Sequence, residues 1–186
     1  MIIGGTDIPQ EPVIKRIKIT AAIEGPIRDC LIEDTLDFSE EDFGTLTQSQ
    51  YDALAISFLL NSILIRRVLV DPGSSANVIR SKVIEQLGLL DQIVPASRVL
   101  HGFDMAGEIT KGEISLSVDM SGTVQNTKFH VIGCDMRYNA LLGKRRIHSM
   151  RALPSTLHQM TKYPTKDSIT TIYGEQHAAK EMCAVY

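Results

Sequence analysis

The sequence has no tryptophan, and aromatic residues make up only 5% of its 186 positions. Any core must therefore be assembled from Ile, Leu, Val and Met. Cysteine is scarce too: Cys30, Cys134 and Cys183 are odd in number and far apart. Neither a disulfide framework nor a zinc-knuckle spacing can be drawn from them, which sets a reducing, cytoplasmic environment as the expectation. An excess of positive charge is missing as well. The formal net charge is −3, which argues against a general polyanion binder, so no nucleic-acid contact is expected of this segment. No apolar run can span a bilayer, because residues 53–60 and 63–65 are broken by Asn61-Ser62 and end at Arg66-Arg67. The start, Met1-Ile2-Ile3-Gly4-Gly5, lacks a basic region followed by an apolar stretch, so no signal peptide is expected. The protein is predicted to be soluble, without a membrane partner. Its five histidines show no i,i+4 or Cys-paired spacing, so neither a metal nor another cofactor is expected.

What is present is a globular composition, 44% hydrophobic and 22% charged. Residues 1–50 are punctuated by Gly and Pro, with one strand-like piece at 13–22. Six acids (Glu33, Asp34, Asp37, Glu40, Glu41 and Asp42) predict a solvated, mobile linker. Order begins at Asp52. Residues 53–60 and 63–70 are β-branched-rich segments around Asn61-Ser62, a hairpin signal. A short strand at 76–80 precedes a helix at 81–90, with Ser81 as N-cap and Gly88 near its end. Residues 98–103 and 108–111 flank Asp104-Met105-Ala106-Gly107. Residues 113–120 alternate as a half-buried strand, Ser121-Gly122 turns the chain, and 127–132 returns. A buried strand at 138–142 ends at Gly143, residues 147–152 read as helical, and the tail offers a strand at 168–173 and a helix at 176–185. Many short strands with Gly turns and one or two short helices predict a mostly-β, small closed barrel.

Chemistry concentrates at Asp71-Pro72-Gly73-Ser74-Ser75, an aspartate at the end of an apolar strand on a tight turn. The N–H groups of Gly73 and Ser74 can aim at the carboxylate and favour its ionised form, and the Ser74 and Ser75 hydroxyls can add donors. If two such turns meet across a two-fold axis, their carboxylates share one proton. One then serves as general base on a bound water while the other donates to the scissile carbonyl. The chain holds one such Asp-x-Gly turn, so this chemistry requires a homodimer. The tetrapeptide alone also suits a plain β-turn; its context decides between them. Ser74 or Ser75 as a nucleophile has no His and acid in local register. The Lys144-Arg145-Arg146 cluster reads as a solvated helix face, and Cys134 as a buried small hydrophobe.

That context resembles the retropepsin-like aspartic protease domain of plant gypsy-type LTR retrotransposon Gag-Pol polyproteins. The resemblance is carried in order by several motifs. They are Arg67-Val68-Leu69-Val70-Asp71-Pro72-Gly73-Ser74-Ser75-Ala76-Asn77-Val78-Ile79, then Leu100-His101-Gly102-Phe103, then Tyr138-Asn139-Ala140-Leu141-Leu142-Gly143. It continues through Ser155-Thr156-Leu157-His158, Lys162-Tyr163-Pro164-Thr165 and Tyr173-Gly174-Glu175-Gln176. Upstream, Phe38-Ser39-Glu40-Glu41-Asp42 looks like the linker before such proteases. The resemblance implies an acid-protease barrel with Asp71 as catalytic residue and Pro72, Gly73, Ser74 and Ser75 as the active-site loop. It implies a substrate-covering flap at Gly102, Phe103, Asp104, Met105, Ala106 and Gly107, and a buttress at Leu141, Leu142 and Gly143. It divides the chain into a poorly ordered linker (1–50), a retropepsin-like domain (51–153) and an extension toward reverse transcriptase (154–186). The implied function is aspartic endopeptidase cleavage of its own polyprotein by a homodimer, its partners being a second copy and a polypeptide substrate. The alternatives are a catalytically inactive dimerisation or peptide-binding module and a degenerate retrotransposon fragment. Two positions depart from the pattern. Well-characterised retropepsins carry Thr or Ser where Pro72 stands, and its hydroxyl bonds the partner loop; Pro72 offers neither hydroxyl nor N–H, although the plant relatives tolerate Pro there. Relatives also often place an aromatic near Arg145 or Arg146.

Overall fold

The computed structural model describes residues 36–43, 52–101 and 107–175. The predicted segments at 13–22 and 176–185 lie outside these. Six strands close a barrel: β1 (Ala55–Leu60), β2 (Ile63–Val70), β3 (Val78–Arg80), β6 (Gly112–Met120), β7 (Thr123–Ile132) and β8 (Ala140–Leu142). Their order around it is β1-β2-β8-β3-β7-β6, with β6 pairing back onto β1. The hairpin β1–β2 turns at Asn61-Ser62, both at positive φ, and β6–β7 turns at Ser121-Gly122 in the same way. Such turns match the right-handed twist of the strands they join.

The register of β1 against β2 slips by one residue. Ile56 faces Val68, but Phe58 faces Ile65, so Arg66 and Arg67 together oppose Ser57. Arg67 takes a φ of +56° to make the bulge. Without the extra residue, the alternation that buries Ile65 would bury positions 67 and 69. With it, Val68 and Val70 enter the core and Leu69 turns outward.

Between β3 and β6 lie helix α1 (Ser81–Gln86) and a two-stranded hairpin, β4 (Val99–His101) with β5 (Gly107–Ile109). Ser81 is the first helical residue rather than the predicted N-cap, which is Arg80 without a side-chain bond. The Ser81 hydroxyl instead accepts from Lys111 Nζ at 3.0 Å. The helix ends where Gly88, at φ +69°, lets its own N–H reach the Glu85 carbonyl and that of Leu89 reach Ile84.

After β8 comes α2 (Lys144–Ser149), followed by a three-stranded sheet of β9 (Leu153–Ser155), β10 (Met160–Pro164) and β11 (Ile169–Tyr173). The predicted 168–173 strand is β11; β9 and β10 carried no clear alternation. Tyr163 and Ile172 from this sheet join the barrel's core with Leu54, Phe58, Ile79, Phe129 and Leu142. The buried Tyr163 hydroxyl donates to the Met120 carbonyl. Among the described residues, no helix is long and apolar enough to cross a membrane.

Helix α2 corrects one expectation. Starting the helix at Lys144 leaves Lys144 and Arg145 exposed but turns Arg146 inward beside Ile147 and Met150. Arg146 is 3% exposed. One guanidinium nitrogen meets Gln125 Oε1, whereas Nε and the other terminal nitrogen have no hydrogen-bond partner. Burial pulls its pKa below the ordinary value. A buried donor without a partner costs about 1–3 kcal/mol. Arg146→Met, which keeps most of the stem and removes the charge, is therefore expected to raise stability by about 1–3 kcal/mol, read from denaturant midpoints.

On the barrel's outer face, Glu113 on β6 pairs with Lys128 and lies 3.5 Å from His130 on β7, with Arg98 at 3.4 Å. Burial holds both His130 and His158 below the ordinary imidazole value of 6.5. The unfolded chain thus takes up these protons first as pH falls. Their contribution to stability is complete above pH 6.5 and is lost as pH drops through the folded values. Melting temperature should fall from pH 7.5 to pH 5.5 by less in a His130→Asn, His158→Asn double variant than in the parent.

Candidate active site

Strand β2 delivers Asp71 to a loop held from behind by β8. The loop is a turn closed by the Ser74 N–H on the Asp71 carbonyl at 3.2 Å. Within it, the Gly73 N–H donates to Asp71 Oδ1 at 2.9 Å, one of the two contacts expected from sequence. The Ser74 N–H goes to the Asp71 main chain instead. The Ser74 hydroxyl also turns away, donating to the Ala76 carbonyl at 3.0 Å. Pro72, Gly73 and Ser75 are exposed.

The buttress comes from the β8–α2 junction. The Asp71 N–H donates to the Leu142 carbonyl at 3.0 Å, and the Lys144 N–H to the Ser74 carbonyl at 2.7 Å. Gly143 sits where the two segments cross. A Cβ there would lie 2.3 Å from the Ala76 carbonyl oxygen and 2.8 Å from that of Ser74. Leu142 is in the barrel core, while Leu141 points to the outside. Leu141 joins Val78 and Ile132 in a second apolar cluster, against which Leu69, Leu100, Cys134 and Tyr138 pack. Burial pushes the Tyr138 phenol up from its ordinary value, and the nearby charges of Cys134 and Asp71 push it the same way. Desolvation likewise raises the Cys134 thiol, which is half-buried rather than buried as expected.

Leu100 brings the base of the β4–β5 hairpin to this cluster, on the segment expected to form a flap. Gly107 begins β5; Gly102, Phe103, Asp104, Met105 and Ala106 lie outside the described residues. Two concavities, of about 760 and 340 Å³, are formed elsewhere, and Asp71 lines neither. Asp71 itself is half-buried. Among the described residues, no group of three His, Cys, Asp or Glu side chains is placed to hold a metal ion.

Two residues acquire a place that sequence reading did not give them. Asn77 is buried, and its Oδ1 accepts from the Gly143 N–H at 2.9 Å while its Nδ2 donates to the Lys128 carbonyl at 3.0 Å. It thereby ties the crossing point to β7. In the sequence it is a polar residue within the short strand expected at 76–80. Tyr138, read as part of a buried strand, instead stands just ahead of that strand, half-buried, and packs against Ala55.

No protein-family model and no curated protein matches the chain. Solved structures do. The retroviral protease-like domain of Ddi1 from Leishmania major is 15% identical, with a TM-score of 0.54, covering 67% of this chain and 94% of that one. A retropepsin-like aspartic protease from Rickettsia conorii is 21% identical, with a TM-score of 0.44 over 64% of this chain and 88% of that one. EIAV protease in complex with an inhibitor is 15% identical, with a TM-score of 0.45 over 59% and 98%. At these identities the likeness is one of fold. The mostly-β architecture, a closed six-stranded barrel with two short helices, is the retropepsin-like fold.

The crossing makes a sharp demand. Gly143→Ala forces the Cβ into two carbonyl oxygens and is expected to cost about 1–3 kcal/mol or more. Asn77→Ala, which strands the buried Gly143 N–H, should cost about 1–3 kcal/mol. Urea unfolding of both variants checks the pair; a neutral Gly143→Ala would mean the loop is not braced this way.

Proposed function

We propose that the chain is an aspartic endopeptidase of the retropepsin type, acting in the cytoplasm on the plant gypsy-type retrotransposon polyprotein to which it belongs. The observation that carries this reading is the Asp71 carboxylate, presented on an open, doubly braced turn within a retropepsin-like barrel. Asp71 of two copies would form the dyad. One carboxylate takes a proton from the attacking water, and the other, protonated, donates to the scissile carbonyl. The β4–β5 hairpin would continue through residues 102–106 as the flap, and Leu141 and its apolar neighbours would face the peptide. The polyprotein division at 51 and 153 remains part of this proposal, with 154–186 leading toward reverse transcriptase.

A second reading, a non-catalytic dimerisation or peptide-binding module from a degenerate element, is favoured by two observations. Pro72 lacks the donors that would knit two loops together. Arg146 occupies a buried position without an acid partner, near where relatives often carry an aromatic.

Incubating the chain with a polyprotein fragment containing its flanking segments separates the readings. Asp71→Asn is expected to lower cleavage by about 10²-fold or more, and specific activity should rise with protein concentration. Cleavage that persists undiminished in Asp71→Asn would remove the protease reading. Equal inactivity of both forms, with dimerisation retained, would leave the binding module.

A further inference from the structure

Residues 36–43 take no part in the site above, yet they are pinned to the C-terminal sheet. Phe38 stacks on His158, with ring centroids 4.6 Å apart and planes 7° from parallel. Lys162, on β10, reaches the same segment in three ways. Its Nζ donates to Asp42 Oδ2 at 2.8 Å and to the Asp37 carbonyl at 3.0 Å, and it lies 5.2 Å from the Phe38 ring centroid. Both side chains of the ion pair are 17% exposed, so the pair is shielded well beyond an ordinary surface contact. His158 is held in place by Ser155, whose hydroxyl lies 2.8 Å from Nδ1.

The segment also arrives with its own shape. The Ser39 N–H donates to Asp42 Oδ2 at 2.7 Å, and the Asp42 N–H returns to the Ser39 carbonyl at 3.1 Å. The first contact is one half of a capping box and the second an ordinary i→i+3 turn bond; together they close the single turn Glu40–Phe43. It presents the Phe38 ring and the Asp42 carboxylate together, four residues apart. Stacking, charge and a main-chain acceptor thus converge on His158, in the turn between β9 and β10, and Lys162, on β10. A linker that merely passed over this surface would have no need of all three.

We propose that His158 and Lys162 form a recognition site for a short acidic peptide segment bearing an aromatic residue four positions before a carboxylate. In this chain the site is filled in cis by residues 36–43. It accepts the same segment from a second molecule once the cis copy is weakened. The site does not depend on Asp71 being catalytic, and a cut within residues 44–51 would leave the upstream piece with a surface to return to.

The full chain carrying Phe38→Ala and Asp42→Asn opens the site. A synthetic peptide of residues 36–43 is titrated into it and followed by backbone and side-chain NMR shifts. Saturable shifts at His158 and Lys162 are expected, absent from the parent chain, whose site is already filled. Adding Lys162→Glu to the opened variant should weaken binding by about tenfold or more. No saturable binding to the opened chain, or equal binding with Lys162→Glu, overturns the proposal. A second measurement does not rely on trans binding. In the otherwise intact chain, the losses in melting temperature from Phe38→Ala and Lys162→Ala should overlap rather than add, and strict additivity would also overturn it.

Discussion

The candidate site depends on one crossing, where the end of β8 passes behind the Asp71 turn with only the hydrogen of Gly143 between them. Backbone polar groups in a buried crossing must find partners, and here each segment satisfies the other. Leu142 takes the Asp71 N–H, Ser74 takes the Lys144 N–H, and Asn77 takes the Gly143 N–H. The same strand reaches back to the bulge in β2. The Asn139 N–H donates to the Arg67 carbonyl and its side chain to that of Arg66. The bulge sets which face of β2 is outward, and the crossing sets where its last residue stops. Position and orientation of the carboxylate are therefore controlled by one three-residue strand, β8, and the residues that flank it.

Much of this was legible because local signals agreed with the global fold. Asn61-Ser62 and Ser121-Gly122 announce hairpins through their tolerance of positive φ, and the alternation over 113–120 names the buried face. The Asp71 turn and Leu141-Leu142-Gly143 could be paired from the family resemblance before any contact was visible. What escaped has a common cause. The bulge at Arg66-Arg67 needs a partner strand to define it, since two arginines in an apolar run signal nothing by themselves. Strands β9 and β10 contain Pro154, Thr161 and Lys162, residues whose placement is decided by pairing rather than by propensity. Arg146 reads as solvated until the helix start is known to be Lys144, which shifts its phase inward. Asp42 likewise belongs to a run of acids that composition assigns to solvent, and only the distant Lys162 makes it otherwise.

Pro72 changes what must hold the loop together. A hydroxyl-bearing residue in that position can hand part of the work to a second copy, but a proline cannot. In this chain the turn is instead held from within, by the Gly73 N–H on the carboxylate, by the Ser74 N–H on the Asp71 carbonyl, and by the β8–α2 junction. The loop's geometry is thus decoupled from association. A copy that dimerises weakly could still carry a correctly shaped half-site, and shape alone does not certify turnover.

The same packing logic bears on where the folded unit ends. The boundary proposed at 153/154 does not coincide with an edge of the core. Removing what lies beyond it would take Tyr163 and Ile172 out of the barrel's interior, at about 1.5–3 kcal/mol for each large side chain. It would also free the Ala55 carbonyl, which accepts the Glu175 N–H at 2.6 Å, and the Ser57 hydroxyl, which donates to the Glu175 carboxylate. Gly174 lies so close to Leu54 and Gln159 that a Cβ would meet both at 2.9 Å. The packed unit extends at least to Glu175, because β1, the strand that opens the barrel, is completed by residues from the far end of the described chain.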